Sequence, residues 1–373
     1  MSKIIVGMSG GVDSSVVAKI LKDQGHEVIG LYMKNWDETD PNGNCTSESE
    51  YQDVVKVCEQ IDIDYYSVNF VKEYWDNVFK EFLDDYQNGF TPNPDVLCNK
   101  EIKFKVFFNK AMELGADYLA TGHYCQNLKI DNINYLCKGK DPLKDQSYFL
   151  HAISGDVLAK VLFPIGHLSK VEVRKLAEEF NLATKTKKDS TGICFIGERN
   201  FKPFLKKYIS SSKGLFKNLD GTVVGEHDGF PFYTLGQRKG LGLGGPGERW
   251  FVVSTDKDTN TVYVERGKDH PALFSNYLIA SDLHLINNDF KITFPFKCTC
   301  KIRYRQTDQD CIISKDKSNR LIVNFVDAQR AIDNGQYVVF YVEKNNESIC
   351  IGGSRIIDKG PSLYQQSLQK QNC

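Results

Sequence analysis

The stretch Ile4-Ile5-Val6-Gly7-Met8-Ser9-Gly10-Gly11-Val12-Asp13-Ser14-Ser15 decides the fold. An apolar run ends in a turn of serine and glycine, and a helical pattern carrying Val16, Val17, Ile20 and Leu21 starts at once and stops at Gly25. Glycines at 10 and 11 let the backbone take positive φ and approach a ligand closely, so successive N–H groups can point at an anion near the positive end of the next helix. Ser9, Ser14 and Ser15 add hydroxyl donors. Working outward, a second strand is predicted over 28–33 and, after a polar loop at 35–47, a helix carrying Val54, Val55, Cys58 and Ile61. A third strand covers 65–68, followed by a helix with Trp75, Val78, Phe79, Phe82, Leu83 and Tyr86. A helix over 100–114 stops at Gly115, and a short strand at 118–120 ends at Thr121-Gly122-His123. This alternation predicts an α/β protein with a doubly wound parallel sheet, whose ligands bind at the carboxyl ends of the strands, where Gly10-Gly11 and Gly122 both fall.

Ser169-Lys170-Val171-Glu172 matches a capping box and begins a helix with Val173, Leu176, Ala177 and Phe180. Beyond about Leu205 the texture changes to glycine-rich turns and period-2 runs at 251–254, 261–265, 297–304, 321–325, 337–342 and 348–351. Three domains follow: a nucleotide-binding catalytic domain over 1–205, a small β-rich middle domain over 206–282 and a C-terminal β domain over 283–373. The polar tail after Gly360 is expected to fray.

A chain of 373 residues, 41% apolar, supports two or three cores. Its net charge of −1 excludes a polycation that binds nucleic acid indiscriminately, so any RNA contact must come from local patches such as 185–217, which carries a net +7. No apolar stretch is long enough to span a membrane and none resembles a secretion signal, which places the protein in the cytoplasm without a membrane partner. Eleven cysteines in such a chain argue for reduced thiols rather than a structural disulfide framework.

The loop lacks the lysine of G-x-x-x-x-G-K-[ST], so it does not read as a site for γ-phosphate transfer. It resembles the SGGxDS pyrophosphate-binding loop of the N-type ATP pyrophosphatases, which attack ATP at the α-phosphate. Two cysteines have chemical surroundings. The turn Thr91-Pro92-Asn93-Pro94-Asp95 delivers Cys98 to the start of a helix, where thiol pKa values fall. Cys194 lies between Gly192 and Gly197 with Lys187, Lys188 and Arg199 close in sequence.

The strings SGGVDSS, TPNPDVLCNKEIKF, TGHY, KDQSYFL, GICFIGERNF, DGFPFYTLGQRKGLGLGG and RYRQ, in this order, resemble the bacterial tRNA-specific 2-thiouridylases, or tRNA-uridine 2-sulfurtransferases. That resemblance implies an adenine-nucleotide α-hydrolase-like first domain, a C-terminal β-barrel-like domain that contacts tRNA, and transfer of sulfur to the wobble uridine, U34. It implies ATP, with Mg2+ as its counter-ion, bound by Gly7, Met8, Ser9, Gly10, Gly11, Val12, Asp13, Ser14, Met33 and Gly122. Cys194 matches the persulfide carrier, loaded by a sulfur-relay partner protein; Cys98 matches the nucleophile, the two ending as a disulfide; Asp95 matches an acid or base. Asn93, Pro94 and Asp95 match the target-base contact, and His123, Lys144, Asp145, Gln146, Arg303, Tyr304 and Gln336 match tRNA contacts. Without the resemblance, Arg303 and Tyr304 offer phosphate forks and a stacking ring.

Two departures from the family pattern stand out. Cys125-Gln126 follows Tyr124 where a small residue and arginine are common, and Ser354 stands where a third glycine is common after Gly352-Gly353. The run 234–242 reads as a structural turn in the middle domain, and Cys298-Thr299-Cys300 has no second ligand pair after it, so no metal is expected. Two other readings stay open: an amidating ligase of the same superfamily, which leaves the cysteine strings unexplained, and an RNA-binding module whose nucleotide site only regulates affinity.

Overall fold

The computed structural model describes residues 1–37, 46–189 and 201–371, so Cys194 lies outside the described residues. β1 (Lys3–Met8), β2 (Glu27–Lys34), β3 (Asp64–Asn69), β4 (Tyr118–Ala120) and β7 (Val161–Leu162) form a five-stranded sheet in the order β3-β2-β1-β4-β7, with every pairing parallel. The sheet grows outward in both directions from β1. The crevice between β1 and β4 is therefore a topological switch point, the place where such sheets bind ligands. Ile4, Ile5, Val6, Leu31 and Leu119 are fully buried, as a sheet covered on both faces requires. On one side lie α1 (Val12–Asp23) and α2 (Thr46–Ile61), and Val16, Val17, Val54 and Val57 join the sheet there. On the other side, helical segments at 71–87 and 94–113 bring Val78, Phe79, Phe82, Ile102 and Phe107 into the largest apolar cluster.

The sequence did not reveal where the hairpin of β5 (Cys125–Ile130) and β6 (Ile133–Lys138) belongs. It leaves the parallel sheet, and β6 pairs with β18 (Glu347–Lys359) in a nine-stranded antiparallel system. In that system β12 (Phe274–Ala280), β14 (Phe296–Lys301), β15 (Gln309–Lys315), β16 (Leu321–Arg330) and β17 (Tyr337–Lys344) run in the order β12-β16-β15-β14-β17-β18. β12 also pairs with β18, and this closes a barrel. A short strand, β13 (His284–Leu285), attaches to β18. β12 thus belongs with the strands that follow the expected division near residue 282. Between the parallel sheet and the barrel in sequence, a four-stranded sheet forms from β8 (Gly214–Lys217), β9 (Val223–His227), β10 (Trp250–Asp256) and β11 (Thr261–Arg266).

One expectation fails at the end of the chain. The tail beyond Gly360 forms a helix, Leu363–Gln371, because Ser362 caps it by accepting from Gln365 N–H, and the ring of Tyr364 packs 5.7 Å from that of His270. Ser275 Oγ donates to Gly360 O at 3.0 Å and anchors the start of the tail on β12.

Candidate active site

The loop after β1 is held by its own serines. Ser9 N–H donates to Ser14 Oγ at 3.2 Å, and Ser15 Oγ donates to Gly11 O at 2.8 Å. Gly11 caps α1 in an extended conformation with no side-chain hydrogen bond, so the first-turn N–H groups of a 12-residue helix are left for an anion. Two glycines let the chain pack closely around the loop. Gly10 has φ +70°, and a Cβ there would sit 2.5 Å from the Glu50 carbonyl oxygen. A Cβ on Gly122, at the end of β4, would sit 3.1 Å from both Asp13 Cβ and Ser14 N. Met8 is buried beneath the loop, and Met33 lies half-buried near the end of β2.

A shell of charge surrounds this loop that motif reading did not find. Lys170 Nζ donates to both oxygens of Asp13, at 2.7 and 2.9 Å, and Tyr124 OH donates to Asp13 Oδ1 at 2.8 Å. Lys170 also pairs with Asp189 at 3.0 Å; Lys144 joins Asp189 at 2.8 Å, and Arg174 makes a further ion pair with it. Burial works to raise the Asp189 carboxyl, but the hydrogen bonds of Lys144, Lys170 and Arg174 hold it well below the usual range. On the other flank Lys187 Nζ donates to Gly10 O at 3.0 Å and to Asp53 at 2.8 Å. Asp13 and Lys170 are 157 positions apart in the chain, so local sequence could not associate them. The capping box at Ser169 was the one usable signal, because it fixes where Lys170 begins its helix.

The turn at 91–95 approaches from another direction. Asn93 caps the next helix by accepting from Val96 N–H at 3.3 Å, and Pro94 occupies its first turn. Helix therefore begins at Pro94, and Cys98 sits one full turn inside it. The expectation that Cys98 lies at a helix start is corrected: the proline turn is itself helical, so the dipole argument for its thiolate does not apply. Cys98 is buried in the main apolar cluster, at the head of a π-helical stretch, Cys98–Phe107, a geometry frequent at functional sites. Burial raises the pKa of Asp95, against the opposing pull of Lys103.

The C-terminal barrel grips this turn. Gln336 Nε2 donates to Thr91 O and Pro92 O at 2.9 and 3.0 Å, and its Oε1 accepts from Asn93 Nδ2 at 3.2 Å. Thr91 N–H donates to Asn334 O at 2.8 Å, and Gly335, at φ +92°, has no room for a Cβ beside Phe90 and Thr91.

The residues matched to tRNA contacts divide into two groups. Lys144, Gln146, Tyr304 and Gln336 are half-buried. Tyr304 packs 4.4 Å from the Phe149 ring. His123 is buried, bonded to Thr121 Oγ1 at 2.8 Å, and burial keeps its ring neutral. Asp145 is interior: it accepts from Gly139 N–H at 3.1 Å, from the Ser147 hydroxyl at 3.0 Å and from Lys301 at 3.3 Å. Arg303 Nη2 donates to the carbonyls of Arg330 and Ala331. Asp145 thus holds the protein together here, and one terminal nitrogen of the half-buried Arg303 is engaged by the backbone. The basic patch is also partly neutralised, since Lys202 and Lys206 both pair with Asp228, at 2.8 and 3.0 Å. Among the described residues no helix is long and apolar enough to cross a membrane.

Residues 2–198 match a family model described as a tRNA methyl transferase HUP domain, 202–266 its PRC-barrel domain, and 275–356 an aminomethyltransferase beta-barrel domain. The chain is 54% identical over 357 residues to the tRNA-specific 2-thiouridylase MnmA of Staphylococcus haemolyticus, covering 95% of each chain. It is 54% identical over 355 residues to the protein of that name from Halalkalibacterium halodurans, covering 95% of this chain and 94% of the other. A third, from Protochlamydia amoebophila, is 53% identical over 364 residues, covering 97% and 95%. The domain descriptions speak of methyl transfer and the full-length relatives of thiolation; identity above one half over the whole chain carries more weight than a domain label.

Proposed function

The chain belongs to the tRNA-specific 2-thiouridylase family, a family of sulfur-transferring enzymes, and on that premise we propose that it replaces the C2 oxygen of U34 in tRNA with sulfur at the expense of ATP. One observation supports this reading above the others. Gly10 and Gly122, at the carboxyl ends of adjacent strands, let the loop pack tightly against Glu50 and the end of β4, and this fixed loop precedes the uncapped end of α1, an arrangement suited to holding phosphates. ATP with Mg2+ is a substrate here. Its phosphates lie on the loop from Gly7 to Ser14, and Lys170, Lys187 and Arg174 exchange their carboxylate partners for phosphate oxygens.

The uridine O2 attacks the α-phosphorus and pyrophosphate leaves, turning a poor leaving group into AMP. A target attacked at its base edge must leave the stack, and Asn93, Pro94 and Asp95 receive it. The terminal sulfur of a Cys194 persulfide then bonds to C2 and AMP departs. Cys98 attacks the inner sulfur of Cys194, and the S–S bond to the transferred sulfur breaks as the Cys98–Cys194 disulfide forms. A thiol reductant reopens it, and a sulfur-relay protein reloads Cys194 in the cytoplasm. Because Cys98 is buried, tRNA binding has to uncover it.

The test is reconstitution with ATP, a persulfide donor and unmodified tRNA. Thiolated U34 is expected from the native chain and none from Cys98→Ser or Cys194→Ser, while pyrophosphate release requires substrate RNA. Full activity from Cys194→Ser, or pyrophosphate release with a small amine in place of tRNA, would reject the proposal.

A further inference from the structure

Far in sequence from Cys98 and Cys194, the barrel holds a cluster of thiols that the proposed sulfur transfer does not use. Cys298 on β14 stands directly opposite Cys311 on the antiparallel β15, and their sulfurs are 3.6 Å apart. Cys300, two residues along β14, lies on the same face and also bonds the Cys311 thiol. All three are reduced. Cys300 and Cys311 are buried, and Cys298 is half-buried, which gives the cluster one opening to solvent.

Directly opposed residues of an antiparallel pair have Cα atoms about 4.5–5.5 Å apart, inside the window of about 4.4–6.8 Å that a disulfide spans. Side-chain rotation alone therefore closes the sulfurs from contact to bonding distance. Among the described residues no group of three or more His, Cys, Asp or Glu is arranged to hold a metal ion, so the chemistry this cluster offers is that of thiols and disulfides.

We propose that Cys298 and Cys311 are a reversible peroxide-oxidised pair that forms a cross-strand disulfide, a redox site separate from the catalytic sulfurs and independent of the proposed sulfur transfer. Cys298 sulfur attacks a hydroperoxide oxygen, the O–O bond breaks, and the leaving alkoxide or hydroxide takes the thiol proton, leaving a sulfenic acid. Cys311 sulfur then attacks the Cys298 sulfur; the S–O bond breaks and hydroxide leaves with the second proton as water. Two thiols are oxidised and one peroxide is reduced to an alcohol, or water, plus water. A dithiol reductant returns both thiols.

The test treats the full chain, and separately a Cys98→Ser/Cys194→Ser chain, with hydrogen peroxide, blocks remaining thiols with an alkylating agent in denaturant, and maps peptides by mass spectrometry. The Cys98→Ser/Cys194→Ser chain should lose two alkylatable thiols, and in both chains the peptides containing Cys298 and Cys311 should be found joined and be recovered by dithiothreitol. Cys298→Ser, chosen because the site is half-buried and checked for folding by its melting curve, should give no joined peptide. Joined peptides in Cys298→Ser would assign the bond to Cys300 instead and overturn the proposal. So would Cys298 and Cys311 remaining fully alkylatable, or passing only to sulfinic acid.

Discussion

Replacing Gly10 by alanine tests whether the loop after β1 is the nucleotide site. The new Cβ meets the Glu50 carbonyl oxygen at 2.5 Å, inside any ordinary contact distance, and the residue must hold φ +70°. A left-handed conformation costs an L-residue about 1–2 kcal/mol, and overpacking against backbone about 1–3 kcal/mol more. The chain can relieve both by moving the loop away from α2, so the penalty reappears when a ligand needs the original conformation. If about 2–4 kcal/mol is recovered this way, nucleotide affinity falls between about 30-fold and about 1,000-fold. Equilibrium ATP binding and tRNA-dependent pyrophosphate release are the readouts, with thermal melting as a check on folding. Gly25→Ala is the control, because its φ is +83° and nothing lies within 4 Å of the added Cβ, so it carries backbone strain without a clash and stands far from the crevice. ATP binding by Gly10→Ala equal to that of Gly25→Ala would refute the assignment of the loop.

Three further outcomes are expected. Lys301→Met strands the buried Asp145 carboxylate and should destabilise the chain by about 3–5 kcal/mol, read as a lower denaturant midpoint. Gln336→Ala frees the turn at 91–93 from the barrel and should reduce the rate of thiolation about tenfold or more without changing the KM for ATP, a split that steady-state kinetics resolves. Asp333, whose carboxyl burial pushes up from 3.8 to about 6, stabilises the fold fully below its unfolded value and loses that contribution as pH rises through about 6. Denaturation midpoints measured across this range should show the native chain losing up to about 3 kcal/mol relative to Asp333→Asn between pH 4 and pH 7.

What the sequence made legible was local. The loop at 7–14 and its helix carry their chemistry in consecutive residues, so composition and order were enough to place them at a strand end. The same holds for the capping box at Ser169, which forms as expected, its Glu172 side chain accepting from Ser169 N–H at 2.6 Å. What stayed hidden depends on contacts between distant segments. The strand pattern of 125–138 does not say which sheet it joins; pairing of Cys137 with Ile349 decides that. Nor could sequence show that Asp145 faces inward, because a short polar run reads as surface until Lys301 is brought against it. Cys98 was misplaced for a different reason: Pro94 was read as part of a rigid turn, whereas proline is also well suited to the first turn of a helix, which moves the helix start upstream.

The barrel's grip on the turn at 91–95 links the two halves of the proposed chemistry. Gln336, the Asn334 carbonyl and Gly335 belong to the barrel, while Asn93, Asp95 and Cys98 belong to the domain that holds the loop after β1. Asp333 adds a carboxylate bonded to Thr91 at the same junction. A barrel displaced by RNA therefore moves the turn directly, and the helix that begins at Pro94 and contains Cys98 moves with it. The far end of that helical segment reaches the nucleotide crevice, since Phe107 lies 3.2 Å from where a Gly7 Cβ would be and Phe104 packs 5.7 Å from the His123 ring. One helical segment, irregular in its middle at Phe104, thus connects the surface the barrel controls to the loop proposed to bind phosphate. Such a connection supplies a physical route by which engagement of the correct RNA can expose a buried thiol and commit ATP in the same movement.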